Sequence, residues 1–168
     1  MKRSYIKTII ITGIIIICVV TVMYIGYNIA PGMNPYSERY EFNIPSSQLI
    51  ENIEKLKNEN QVYKIPQIDL PDHYDNNSTV TRYYHIYIYY SKENKILHLW
   101  VANDIENKSK SYLNFVDIND GLQLGHWKKI NHDYSKNEST KLINQFEEKV
   151  LKKLGIKYIN KGNSMSIF

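Results

Sequence analysis

The chain has 168 residues and a formal net charge of +4, from 21 basic and 17 acidic residues. Lys2, Arg3 and Lys7 precede an apolar run; setting these three aside leaves 18 basic against 17 acidic residues, or +1, which gives the rest of the chain no electrostatic footprint for nucleic acid. The single cysteine, Cys18, lies inside the apolar run, so the remainder has no disulfide framework, thiolate metal site or cysteine nucleophile.

From Ile9 to Ile29 there are 21 residues without a charge. At ~1.5 Å per residue these span about 30 Å, the thickness of a bilayer core. The pattern predicts a basic cytoplasmic tail (1–8), one transmembrane helix (9–30) and a short stalk (31–35) broken by Pro31, Gly32 and Pro35. Tyr24 and Tyr27 fall at the distal end, where aromatic rings favour the headgroups. Positive charge before the helix places the N-terminus in the cytoplasm and the following domain in the periplasmic or extracellular space. Pro31 directly after Ala30 opposes signal cleavage, so the segment reads as a signal-anchor. Ile15-Ile16-Ile17 before Cys18 lacks the small residues of a lipoprotein site. The richness in Ile, Asn, Lys and Tyr, residues with AT-rich codons, points to a low-GC bacterium.

An α+β domain is expected over 36–160. Tyr36, Tyr40, Phe42 and Ile44 share one parity, with Glu38 as the exception, and predict a first strand. Ser46 is the expected N-cap of a helix whose apolar stripe is Leu49, Ile50, Ile53 and Leu56. Val62 to Thr79 holds Pro66, Pro71 and a run of turn residues from Asp72 to Ser78, and reads as an extended crossing with an exposed loop.

Val80–Tyr90 and Ile96–Val101 predict a hairpin closed by Ser91–Asn94. If those four residues are the loop, Tyr90 pairs with Lys95, Ile88 with Leu97, Ile86 with Leu99 and Tyr84 with Val101. Tyr112–Asn119 predicts the next strand and Leu122–Ile130 a possible return. Ser135 and Glu138 have capping-box spacing before a second amphipathic helix, closed by Gly155. Ile156–Ile159 suits a short strand, and 161–168 reads as a loose tail. The fold class expected is α+β: an antiparallel sheet of four to five strands with two amphipathic helices, preceded by the transmembrane helix.

Chemistry is sparse. His85 and His98 fall on one face of the hairpin as diagonal neighbours, but their own strands offer no third histidine or carboxylate, and zinc needs three or four ligands. His126 and His132 flank Trp127 without a fixed acidic partner. Nucleophile-elbow, phosphate-loop and zinc-protease motifs are absent. No catalytic, cofactor-binding or metal-binding residue is therefore assigned, and no cofactor is implied. The distinctive feature is the aromatic outer face of the hairpin: Tyr83, His85, Tyr87, Tyr89, His98 and Trp100. It suits a protein-binding surface, unless the domain's own Val62–Thr79 segment covers it. The expectation is a non-enzymatic membrane-anchored binding module for a protein partner in the envelope, such as an immunity-type protein that neutralises an incoming toxin. The alternatives are an envelope hydrolase acting on glycan or peptide through carboxylate or histidine residues, and a structural subunit of a membrane complex.

Overall fold

The computed structural model describes residues 11–23, 35–66, 68–75, 83–104 and 106–163. The chain divides into two units, Met1–Met33 and Asn34–Phe168. In the first, residues 11–23 form a helix, α1. Its successive Ile14, Ile15, Ile16 and Ile17 are each more than half exposed, so it has no polar face to turn to water. Among the described residues no helix is long and apolar enough to cross a membrane. The basic tail, the rest of the expected anchor (9–10 and 24–30) and stalk residues 31–34 lie outside the described residues.

The second unit is an α+β fold built on a seven-stranded antiparallel sheet. Its strands are β1 (Glu38–Phe42), β2 (His73–Tyr74), β3 (Tyr84–Tyr90), β4 (Lys95–Asn103), β5 (Ser111–Asp120), β6 (Trp127–Lys129) and β7 (Tyr158–Asn163). The spatial order is β2-β3-β4-β5-β1-β7, and β6 also pairs with β5. β1 takes the Ser111–Phe115 half of β5 and β6 the Asp117–Asn119 part. The strand count exceeds the four to five expected, because the return strand and the terminal strand both form and because β2, only two residues long, lies in a stretch that carries no alternation. The last strand also runs to Asn163, past the expected domain limit at 160; residues 164–168 lie outside the described residues.

The hairpin has the register that the sequence predicts, with Tyr90 opposite Lys95 and Tyr84 opposite Val101. Asn94 closes it at φ 51°, the left-handed region that asparagine tolerates in turns.

Helix α2 (Ser46–Glu59) buries Leu49, Ile50, Ile53 and Leu56. Its N-cap is Pro45 and not Ser46; the Ser46 N–H donates instead to Asn103 Oδ1 at 3.3 Å. α3 (Lys136–Phe146) starts with the expected capping box between Ser135 and Glu138. It continues through a π segment (Glu147–Leu151) into a last turn, α4 (Lys152–Leu154), ended by Gly155 at φ 67°.

Helix α2 and the α3–α4 helix share one core with one face of the sheet. Leu49, Ile53, Phe146, Val150 and Leu151 pack with Ile86, Ile88, Leu97, Leu99, Leu113 and Phe115, all fully buried or nearly so. Each such aliphatic side chain contributes about 1.5–3 kcal/mol by leaving water. Residues 64–66 and 68–72 pass to the other face, where Ile65, Ile68 and Leu70 pack on Tyr87, Tyr89 and Ile96.

Candidate functional site

The outer face of the hairpin carries two apolar clusters with a row of imidazoles between them. One is Tyr87, Tyr89 and Ile96, covered by Ile65, Ile68, Leu70, Leu122 and Trp127. The other is Trp100, Ala102 and Val116 beside Tyr83; Tyr83 meets the Trp100 ring edge-on at 4.2 Å. Of the six residues predicted for a partner surface, Tyr87, Tyr89 and Trp100 are thus buried, and Tyr83, His85 and His98 are half-buried. The structure brings all six onto one face, but the buried three offer a partner little area.

The row itself is a stack. His73 lies parallel to His85 at 5.0 Å between ring centroids, His85 to His98 at 5.1 Å, and His98 to Tyr87 at 5.0 Å. Trp127 closes the far side, edge-on to His98 at 5.8 Å. Hydrogen bonds run through it: His98 Nδ1 lies 3.0 Å from Asp117 Oδ1, and His85 Nδ1 lies 2.9 Å from His98 Nε2. An ionised carboxylate only accepts, so His98 Nδ1–H donates to Asp117. His98 Nε2 then accepts from the His85 Nδ1–H, and His85 Nε2 has no hydrogen-bond partner among the described residues. Burial pushes the His85 imidazole down to about 4, helped by the neighbouring His98 and His73. Its Nε2 therefore stays unprotonated at neutral pH.

The chain matches no protein-family model, and neither a characterised protein nor a solved structure matches it significantly. The function is therefore argued from this geometry.

The third histidine and the carboxylate that strands β3 and β4 lack come from their neighbours. β2 supplies His73 opposite His85, and β5 supplies Asp117 opposite His98. They still do not make a metal centre. His98 has both nitrogens engaged, and His73 Nδ1 contacts the Pro71 carbonyl at 3.1 Å. Among the described residues no group of three or more His, Cys, Asp or Glu side chains is arranged to hold a metal ion.

Sequence reasoning missed His73 because β2 is too short to show a period. Asp117 had a signal. The β4–β5 register slips between His98 and Leu99, so that Asp117 and Phe115 face consecutive residues. In the sequence this is the three-residue step from Phe115 to Ile118 on the core face, where strict alternation requires two.

The outer end of the stack is open. His73 is exposed and Tyr74 is 48% exposed, and Tyr74 leans on Tyr84 at 4.7 Å. Beside it lies a cleft of about 390 Å³ lined by Glu54, Lys57, Ile65, Leu70, Asp72 and Tyr87 among others; no histidine lines it.

Proposed function

We propose that this chain is a membrane-anchored, non-enzymatic protein-binding module whose domain stands outside the cytoplasm. The observation that carries the binding half is the imidazole–aromatic stack. Its inner members are fixed by Asp117 and by packing, while its outer end, His73 with Tyr74, is exposed. Aromatic side chains held in place supply contact area at low entropic cost, and Tyr is enriched at interfaces. A partner with an N–H or O–H donor finds the His85 Nε2 acceptor waiting. The anchoring half is supported by Lys2, Arg3 and Lys7 ahead of the uncharged run and by the absence of a polar face on α1. One concrete form is an immunity-type protein that neutralises a toxin arriving from outside.

The test is site-specific photo-cross-linking in intact cells, with a photoreactive residue in place of Tyr74. The control position is Ile159, which is 51% exposed on β7 at the opposite edge of the sheet. A discrete protein adduct is expected from position 74, weakened by His73→Ala and absent from position 159. No adduct at 74, or the same adduct at both positions, overturns the reading.

A second reading, a hydrolase acting on envelope glycan or peptide, is favoured by the Asp117–His98–His85 chain, which orients an unprotonated ring nitrogen. Digestion of purified cell-wall material by the intact protein but not by His98→Ala would replace the first reading with this one.

A further inference from the structure

A second cavity lies away from the stack, where the β3–β4 turn meets the π segment. Its volume is about 230 Å³, and its walls include Val62, Tyr63, Tyr89 and Tyr90. Ligand pockets for drug-sized molecules run to about 300–1,000 Å³, so this one has room for a single side chain and not for a cofactor. Val62, one of these walls, is 57% exposed. Tyr90 also brings a buried hydroxyl that has no hydrogen-bond partner among the described residues.

The rim is basic. Lys92, Lys149 and Lys153 line the cavity together with one acid, Glu93. Glu93 is already engaged: Lys149 and Gln145 both donate to its Oε1, and the Lys149 contact holds its carboxyl below the usual range. Lys153 has no carboxylate partner among the described residues. Its Nζ donates to the Tyr63 hydroxyl at 3.0 Å and stands 5.4 Å from that ring's centre. Lys149 stands 4.7 Å from the centre of the Tyr90 ring. Two ammonium groups are thus held against the aromatic walls, and one still lacks an anion.

The π segment is part of this arrangement. It carries Lys149, whose carbonyl accepts from the Tyr63 hydroxyl at 2.7 Å. The same residue therefore pins one wall and supplies one rim charge. Helical π turns are rare and recur at functional sites.

We infer that this cavity seats one aromatic or aliphatic side chain of an acidic segment of a protein partner, with a neighbouring carboxylate on Lys153. The identity of the occupant rests on the reading of the domain as a protein binder. Its charge follows from the rim, because a basic segment would meet Lys92, Lys149 and Lys153 with like charge.

The probes are two blocked tripeptides, Glu-Phe-Glu and Lys-Phe-Lys, titrated against the full-length chain in detergent micelles and followed by NMR. The acidic peptide is expected to saturate, with shifts centred on Tyr63, Tyr90, Lys149 and Lys153, and to weaken with added salt. Lys153→Glu should reduce its affinity at least tenfold, and Val62→Asp, at the exposed wall, should reduce it as well. Both positions are at the surface, and an unchanged spectrum elsewhere shows that the fold persists. No saturable shift, equal binding of the basic peptide, or indifference to both substitutions overturns the inference. The peptide titration reads this cavity alone, so it can succeed where cross-linking from position 74 fails, or fail where that succeeds.

Discussion

At the scale of single residues, His85 links the site to pH. Its imidazole is held down to about 4, chiefly by burial and then by His98 and His73, against about 6.5 in an unfolded chain. Between those two values the unfolded state binds the proton and the folded state does not. Stability from this residue is therefore complete above about pH 6.5 and is lost as pH falls toward about 4. The expected outcome is a urea midpoint that drops across that window. In His85→Gln, which keeps a polar side chain but cannot titrate, the drop should be shallower. Carboxylates titrate in the lower part of the same range, so the decisive quantity is the difference between the two proteins. If both midpoints fall in parallel, His85 is not the source.

At the scale of elements, the covering of the outer face depends on how residues 64–66 and 68–72 are tied down. Asp72 does this with both oxygens. Its Oδ1 accepts from the Tyr87 backbone N–H at 2.9 Å, just beyond the end of two-residue β2, and its Oδ2 pairs with Lys57 of α2. Both side chains of the ion pair are largely shielded, at 16% and 13% exposure. Asp72→Ala leaves a strand N–H and a shielded ammonium without partners. Groups stranded in this way cost about 1–3 kcal/mol, so a loss near 2 kcal/mol by urea denaturation is expected. A loss below about 0.5 kcal/mol, the usual range for surface changes, would mean that the segment is held by Ile65, Ile68 and Leu70 alone.

The same elements show what the sequence could reveal. The hairpin register was legible, because a one-residue slip would mix Ile86, Ile88, Leu97 and Leu99 with the outer set. The capping box at Ser135 was legible because it is local. The pairing of β1 with both β5 and β7 was not, since nothing local in Glu38–Phe42 names a partner 69 or more residues away. The site divides in the same way. His85 and His98 share one hairpin and could be placed together, whereas His73 and Asp117 reach them through a two-residue strand and a bulge. The burial of Tyr87 and Tyr89 depended on where Ile65, Ile68 and Leu70 come to rest, and a segment without periodicity does not say.

At the scale of the whole molecule, the proposal assigns the two units different surroundings. Among the described residues, the three hydrophobic clusters of the Asn34–Phe168 unit are built from residues of that unit. A chain trimmed to begin at Asn34 should therefore fold alone, stay in solution without detergent and unfold in one transition, as single domains of this size usually do. In the proposed reading the apolar run from Ile9 to Ile29 has the opposite requirement. An uncharged stretch of that length is stable in hydrocarbon, where its backbone is satisfied within a helix. The full-length protein should then sediment with membranes, resist extraction by high salt or alkaline carbonate, and be released by detergent. The two measurements separate two ideas. An unfolded trimmed chain would show that the domain needs residues before Asn34, whatever their role. A trimmed chain that folds, beside a full-length protein that carbonate releases, would leave the domain intact and remove the anchor. The proposed partner would then have to be sought in solution and not at a membrane surface.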